Sequence, residues 1–334
     1  MSKYLVAPLN WGLGHASRCV PLIQRFLDEG HEVILGGDGE SLTLLRRQFP
    51  KLRYTYLAPL RLRYSASRRQ VWAMLKALPK LIAWAYKDHA MLQALLREEK
   101  IDRVVSDNRF GLYADGVETV YITHQLHILL PSPWRWLEPL AARLHARIYA
   151  RYNKVWVPDC EEPEKSLAGD LSHIKGQRDK GQCTVSYIGP LSRFSLTAQR
   201  SYSETVLQRS GLTAQRSYTI VAVLSGLEPQ RTLLEKELLA RYRGGEQRVL
   251  LVQGLLNRPA TRIKRGNITI VPSMTDSELV PALLGAQHII ARSGYSTIMD
   301  LETLGLIQKA ELIPTPGQPE QEYLAFWTEK RTSK

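Results

Sequence analysis

Cysteine is scarce in this chain. Cys19, Cys160 and Cys183 are odd in number, far apart and contain no C-x-x-C pair, which argues against a disulfide framework or a zinc site and for reduced, structural thiols. Long apolar runs are also missing. No stretch approaches the roughly 20 residues needed to cross a bilayer, and Ser2 and Lys3 lead straight into a strand-like segment without a signal-peptide core. The expectation is a cytoplasmic protein, at most peripheral at the inner face of a membrane. Asp-x-Asp, the usual paired-carboxylate grip on a cation, does not occur.

Acidic residues are outnumbered, 32 against 45 Lys and Arg, so the net charge is +13. Such a surplus calls for an anionic partner: nucleic acid, an acidic membrane surface or a phosphorylated ligand. Arg46, Arg47, Lys51, Arg53, Arg61, Arg63, Arg68, Arg69, Lys76 and Lys80 crowd one stretch, interleaved with Tyr54, Tyr56, Tyr64, Trp72, Trp84 and Tyr86. Two readings fit it. The region around 61–86 either docks on anionic lipid, with Trp72 and Trp84 at the boundary, or forms a solvated cationic helix whose aromatics enter the core.

The length of 334 residues predicts two domains. Tyr4 to Pro8 is short and apolar, the loop Asn10-Trp11-Gly12-Leu13-Gly14-His15 follows, and Val20, Ile23, Phe26 and Leu27 then recur at helical spacing. Gly30 ends that helix and His31 to Leu35 returns as a strand. This βαβ unit predicts a parallel, doubly wound sheet with its ligand crevice at the strand C-termini. A second strand and helix series starts at Tyr218. The reading is α/β with two Rossmann-like domains, 1–189 and 218–334, joined by a polar linker at 190–217 and facing each other across a cleft. Within the linker Leu-Thr-Ala-Gln-Arg-Ser-Tyr occurs twice, at 196–202 and 212–218, as a local duplication would leave it.

Three constellations bear chemistry. Gly12-Leu13-Gly14-His15 lies between strand and helix, where backbone N–H groups and the helix dipole suit an anion; the bland alternative is a tight structural turn. As a dinucleotide fingerprint it fails, because Ser17 replaces the third glycine. His15 tops the helix where the cleft opens and is the leading general base, with Asp107 and His124 in reserve. The second constellation is Arg292-Ser293-Gly294-Tyr295-Ser296-Thr297. Gly294 lets the backbone approach a diphosphate, Ser293, Ser296 and Thr297 offer hydroxyls, Arg292 adds charge, and Asp300, one turn on, suits a ribose. The third runs from Pro314 into a helix that presents Gln321 and Glu322, residue types that bridge sugar hydroxyls.

In this order the motifs resemble the bacterial lipid-linked N-acetylglucosaminyltransferase of peptidoglycan synthesis and, more broadly, the GT28-type branch of GT-B glycosyltransferases. The resemblance implies a donor domain at the C-terminus and an acceptor domain at the N-terminus. It sets Ser225, Gly226 and Arg231 by the donor diphosphate, Met274 against the base, Asp300 on the ribose, and Gln321 and Glu322 on the transferred sugar. Gly12, Gly14, Thr123 and Gln125 fall on the acceptor side. Asp300 stands where that family has glutamate, and Leu227 and Pro229 replace small residues after the Ser225-Gly226 turn. The chain stops soon after the Gln321 helix, so the crossing-back helices of GT-B proteins are expected to be missing and closure weakened.

The expected reaction is inverting transfer from a nucleotide-diphosphate sugar, a UDP-sugar, with no metal and no cofactor beyond that co-substrate. The acceptor is unidentified, with a lipid-linked molecule at an anionic membrane surface as one option; nucleic acid is not expected as a partner. The alternative on the same fold is a nucleotide-sugar 2-epimerase. A nicotinamide-dependent dehydrogenase is disfavoured by Ser17.

Overall fold

The computed structural model describes residues 1–60, 70–173, 183–195, 218–259 and 261–333, with backbone alone at 70–76. Arg61, Arg63, Tyr64, Arg68, Arg69, the side chains of Trp72 and Lys76, and the repeated heptapeptide up to 217 lie outside the described residues.

The N-terminal half builds β1 (Lys3–Pro8), α1 (Gly14–Asp28), β2 (Glu32–Gly37), α2 (Gly39–Gln48), β3 (Arg53–Tyr56), α3 (Gln70–Glu98), β4 (Arg103–Asp107), β5 (Glu118–Ile122), α4 (Glu138–Tyr149), β6 (Lys154–Val157) and β7 (Thr184–Tyr187). Its seven strands lie in the order β3-β2-β1-β4-β5-β6-β7, every neighbouring pair parallel. Strands covered on both faces read as near-continuous apolar runs, as Tyr4 to Ala7 do. The face of α1 that packs on them is Ala16, Cys19, Val20, Ile23 and Phe26.

The C-terminal half builds β8 (Ile220–Val223), α5 (Gln230–Tyr242), β9 (Val249–Val252), β10 (Ile263–Arg265), β11 (Ile268–Val271), α6 (Asp276–Gly285), β12 (His288–Arg292), α7 (Tyr295–Thr303), β13 (Ala310–Ile313) and α8 (Pro319–Thr332). Its sheet order is β10-β11-β9-β8-β12-β13, parallel except for the β10 edge. Two Rossmann-like sheets therefore face the expectation and meet it. Helix α2 and strands β3, β7 and β10 carry weak local signals in the sequence. All three strands are short edge or near-edge pieces carrying charged or polar residues, and α2 follows a Gly36-Gly37-Asp38-Gly39 turn that masks its onset.

Each sheet reverses its winding direction once, between β1 and β4 and between β8 and β12, and open α/β sheets bind ligands at that crevice. In the first sheet Pro8 is paired with Asp107, so the β1–α1 loop and the end of β4 emerge side by side. In the second, Val223 is paired with Ala291, which brings Ser225-Gly226 and Arg292-Ser293-Gly294 together.

Helix α8 crosses to the first domain. Leu324 is fully buried in its core, the Tyr323 hydroxyl accepts from the Asp170 N–H at 2.8 Å, and Trp327 Nε1 donates to the Ser166 carbonyl at 3.0 Å. The receiving loop is held by Asp159, which accepts Ser166 and Ser172 hydroxyls at 2.6 Å each and the Leu167 N–H at 2.8 Å. Weakened closure was expected; α8 itself supplies the contact. At the start of the expected linker, Leu191 is buried in a core that both halves share, its N–H on the Met299 sulfur at 3.3 Å, and Phe194 is buried in the core of the second domain.

Trp84 follows the second reading of the basic stretch, an aromatic that enters the core. It is buried beside Leu9 and Ala58 and donates Nε1–H to the Ala58 carbonyl at 2.8 Å, so it cannot reach a membrane boundary. Among the described residues no helix is long and apolar enough to cross a membrane.

Below the first crevice lies Arg109, fully buried. Its Nη2 donates to Asp88 at 2.7 Å and to the Ala58 carbonyl at 2.8 Å, and its Nη1 reaches Asp38 at 3.2 Å. One guanidinium thereby ties α3, the exits of β2 and β3, and β1. Arg109→Leu leaves the buried Asp88 without its countercharge and should cost about 3–5 kcal/mol, read as a lowered urea midpoint. The double variant R109L/D88L should recover most of that loss; a single variant as stable as the parent would show that the clamp is dispensable.

Candidate functional site

The β1–α1 loop turns at Gly12, whose φ of +79° is a backbone state that a side chain disfavours. Helix α1 then begins with no side-chain cap and no acidic residue in its first turn. His15, in that turn, has Nδ1 2.8 Å from Asp107 Oδ1. One turn on, Arg18 donates Nε–H to Asp107 Oδ2 at 2.5 Å and Nη2–H to Oδ1. The Cys19 thiol, kept protonated chiefly by burial, adds a weak donor at 3.6 Å.

Asp107 is fully buried. Burial opposes its charge, but the charge of Arg18 and the hydrogen bonds from Arg18 and His15 more than offset this and hold its pKa well below the usual carboxylate range. Nδ1 of His15 faces two partners, the ionised Asp107 carboxylate at 2.8 Å, which only accepts, and Arg18 Nη2 at 3.0 Å, which only donates; with the Arg18 hydrogens already drawn to the carboxylate, the shorter ionic contact sets the proton on Nδ1 and leaves Nε2 a lone pair. Asp107 was a reserve base. It is instead saturated with donors and acts on His15 rather than on a substrate.

His124, the other reserve base, is buried with both ring nitrogens engaged. Arg18 Nη1 lies 3.2 Å from Nδ1, and since a guanidinium only donates, Nε2–H must donate to Glu320 Oε1, 2.8 Å away. Burial first, then Arg18, lower the pKa of His124 against the opposing pull of Glu320, so the ring is neutral. With no free nitrogen it is no base. Tyr295 stacks on it at 4.2 Å and 9°, its hydroxyl donating to the Pro158 carbonyl. Thr123 accepts the Gln125 N–H at 3.1 Å and so shapes this loop.

Across the seam, α7 also starts without a side-chain cap or an acidic first turn. Gly294 has φ −74° and ψ 143°, which any residue adopts, and a Cβ there would meet nothing closer than the Thr297 hydroxyl at 3.9 Å. Space, not backbone strain, is what its glycine provides. Gly14 does meet α7: a Cβ on it would stand 2.3 Å from the Ser296 hydroxyl, so the two helix starts touch there. Gly226 turns at φ +95° with open space before it, next to half-buried Ser225. Met274 lies between β11 and α6, packed on the second core.

Other expected donor contacts are already committed. Arg292 is buried, its guanidinium donating to the carbonyls of Pro314 and Gln230 at 2.9 Å each, so it ties strand ends together rather than offering charge to a diphosphate. Ser293 is fully buried and donates to the Gln321 carbonyl at 2.8 Å. Arg231 is clamped between Glu228 and Glu235. The side chains of Gln321 and Glu322 accept the N–H groups of Thr315 and Gly317 in their own loop. Asp300 accepts the Ser192 hydroxyl at 2.5 Å, and burial, against the pull of Arg193, raises its pKa to about 6. Sequence reasoning missed Arg18 and Glu320. Arg18 was legible as His15 plus three, one helical turn on; Glu320 carried no signal, since its partner lies 196 residues away.

No family model matches the chain. An uncharacterized glycosyltransferase of Methanosarcina acetivorans is 23% identical over 339 residues, covering 96% of this chain and 81% of its own length. One of Methanosarcina mazei is 22% identical with the same coverage. Among solved structures, the spinosyn rhamnosyltransferase SpnG superposes with a TM-score of 0.56 at 13% identity, over 99% of this chain and 92% of its own. Phytolacca americana UGT2, complexed with UDP-2-fluoro-glucose and pterostilbene, gives 0.55 at 15% identity, over 99% and 84%. The facing Rossmann-like domains and these similarities give the chain the GT-B fold, and the relatives it resembles along its length are named glycosyltransferases.

Proposed function

We propose that the chain moves a sugar from a nucleoside diphosphate donor, a UDP-sugar, to an acceptor hydroxyl, with inversion and without a metal ion. The observation that carries this reading is His15, whose Nδ1 is held by ionised Asp107 while its Nε2 is left to accept, at the seam where α1 meets α7. An acceptor hydroxyl at Nε2 gives up its proton as its oxygen attacks the anomeric carbon opposite the leaving diphosphate. Asp107 stabilises the imidazolium that forms. The departing diphosphate gains charge at the uncapped first turn of α7, with its free backbone N–H groups and the Ser296 and Thr297 hydroxyls, and at the Ser225-Gly226 turn. Asp300 then takes the ribose in exchange for Ser192, and the Met274 backbone meets the base. A UDP complex of LpCGTa has the same fold, with a TM-score of 0.54 at 14% identity. The 2-epimerase alternative is not favoured by the relatives' names, and an epimerised donor released without acceptor would revive it.

The acceptor side of the proposal is a lipid-linked molecule at an anionic surface. Supporting it, α3 exposes Leu78, Ile82 and Tyr86 at four-residue spacing beside Lys80 and Lys87. Trp136, Leu140 and Leu144 repeat the pattern beside Arg135, Arg143 and Arg147. Apolar stripes edged by cations suit a headgroup layer.

UDP should raise the thermal midpoint more than TDP or GDP, because only a ligand of the folded state stabilises it. His15→Ala should keep that shift and lose about 10²–10⁴-fold in sugar transfer, the usual worth of a general base; an unchanged rate removes His15 from the role. Above pH 6 an ionised Asp300 accepts ribose hydroxyls, and below it the carboxyl is protonated. Calorimetric UDP affinity should therefore fall as pH drops through about 6, and Asp300→Asn should bind weakly with that component gone. A pH dependence equal in both proteins would sink the ribose assignment. The protein should sediment with anionic vesicles at low salt, and Ile82→Glu with Leu140→Glu should abolish this; sedimentation unaltered by both excludes the stripes.

A further inference from the structure

Glu320 belongs to the donor-domain helix α8, yet its carboxylate faces away from that domain. It accepts from His124 Nε2 at 2.8 Å, and Gln125 of the same acceptor-domain loop also pairs with it. His124 is thus gripped by the donor domain twice, by this hydrogen bond and by the flat stack of Tyr295. Its other nitrogen meets Arg18, which in turn holds Asp107, which holds His15. The chain of contacts runs unbroken from α8 to the base.

We propose that Glu320 is a positioning residue: on closure of the two domains it fixes His124 as the Nε2–H tautomer, so that Nδ1 accepts from Arg18 and Arg18 is oriented on Asp107 behind His15. The proposal rests on the reading of His15 as base for its effect on rate, but not for its effect on the tautomer. Chemistry dictates the direction. A carboxylate at Nε2 must be donated to, and only the Nε2–H form can also accept at Nδ1. The alternative tautomer would set an N–H against the Arg18 Nη1–H and leave the Glu320 carboxylate without a donor from the ring. Burial opposes ionisation of Glu320, and the hydrogen bonds from His124 and Gln125 outweigh it, so Glu320 is ionised.

The test uses the full chain labelled with ¹⁵N-histidine, His124 being assigned by its loss in His124→Asn. The parent should show an Nε2–H ring for His124. Glu320→Gln, which keeps an accepting oxygen, should retain that tautomer and most of kcat. Glu320→Ala should lose the single tautomer and fall about 10-fold in kcat. An Nδ1–H ring in the parent, or an unchanged His124 signal in Glu320→Ala, overturns the proposal whatever the enzyme assay gives. If Glu320→Ala loses the single tautomer while kcat is unchanged, the positioning role stands and His15 is not the base.

Discussion

The pairing of Asp107 with Arg18 underlies the rest of the site. Both are buried, and neither charge would survive there alone, since moving an ion out of water costs several kcal/mol even after relaxation. Their geometry meets that cost: two guanidinium N–H groups fall on two carboxylate oxygens, and His15 adds a third donor. Because the carboxylate is ionised and saturated, it decides where the His15 proton sits. The same guanidinium reaches His124, so one arginine fixes the ring of one histidine and supports the partner of the other.

This arrangement is made by topology. The strand order places β1 beside β4, and the two elements end level at Pro8 and Asp107. The loop leaving one and the carboxylate ending the other therefore emerge at the same point of the crevice. An equivalent adjacency of β8 and β12 brings the Ser225-Gly226 and Arg292-Ser293-Gly294 turns together. The domains then meet through α1 and α7, whose uncapped starts touch at Gly14 and Ser296, and through α8, which crosses over to the loop held by Asp159. Closure and chemistry share residues at this seam.

Much of the fold was legible because its signals are local. The helix and strand periods, Gly30 behind α1 and the glycine-bearing turns before α1 and α7 announce themselves within a dozen residues. The nomination of His15 also came from local context, a histidine in the first turn after a strand and a glycine loop. What the motifs misled about was commitment. Arg292 and Ser293 belong to a phosphate-like pattern, yet both are buried and donate to carbonyls of neighbouring strand ends and helices. Trp84 sits in a basic aromatic stretch, and its indole nevertheless faces the Ala58 carbonyl in the core.

The sequence by itself determined two parallel α/β units, the position of the turns that could receive an anion, and the histidine best placed to take a proton. Hydrophobic period and turn chemistry act over short distances, so they can be read along the chain. Only the tertiary structure decided which polar groups are free and which are spent. His15 and Asp107 are 92 residues apart, and His124 and Glu320 are 196 apart. Burial and hydrogen-bond saturation set the charge state of each, and both are properties of the neighbours that folding supplies.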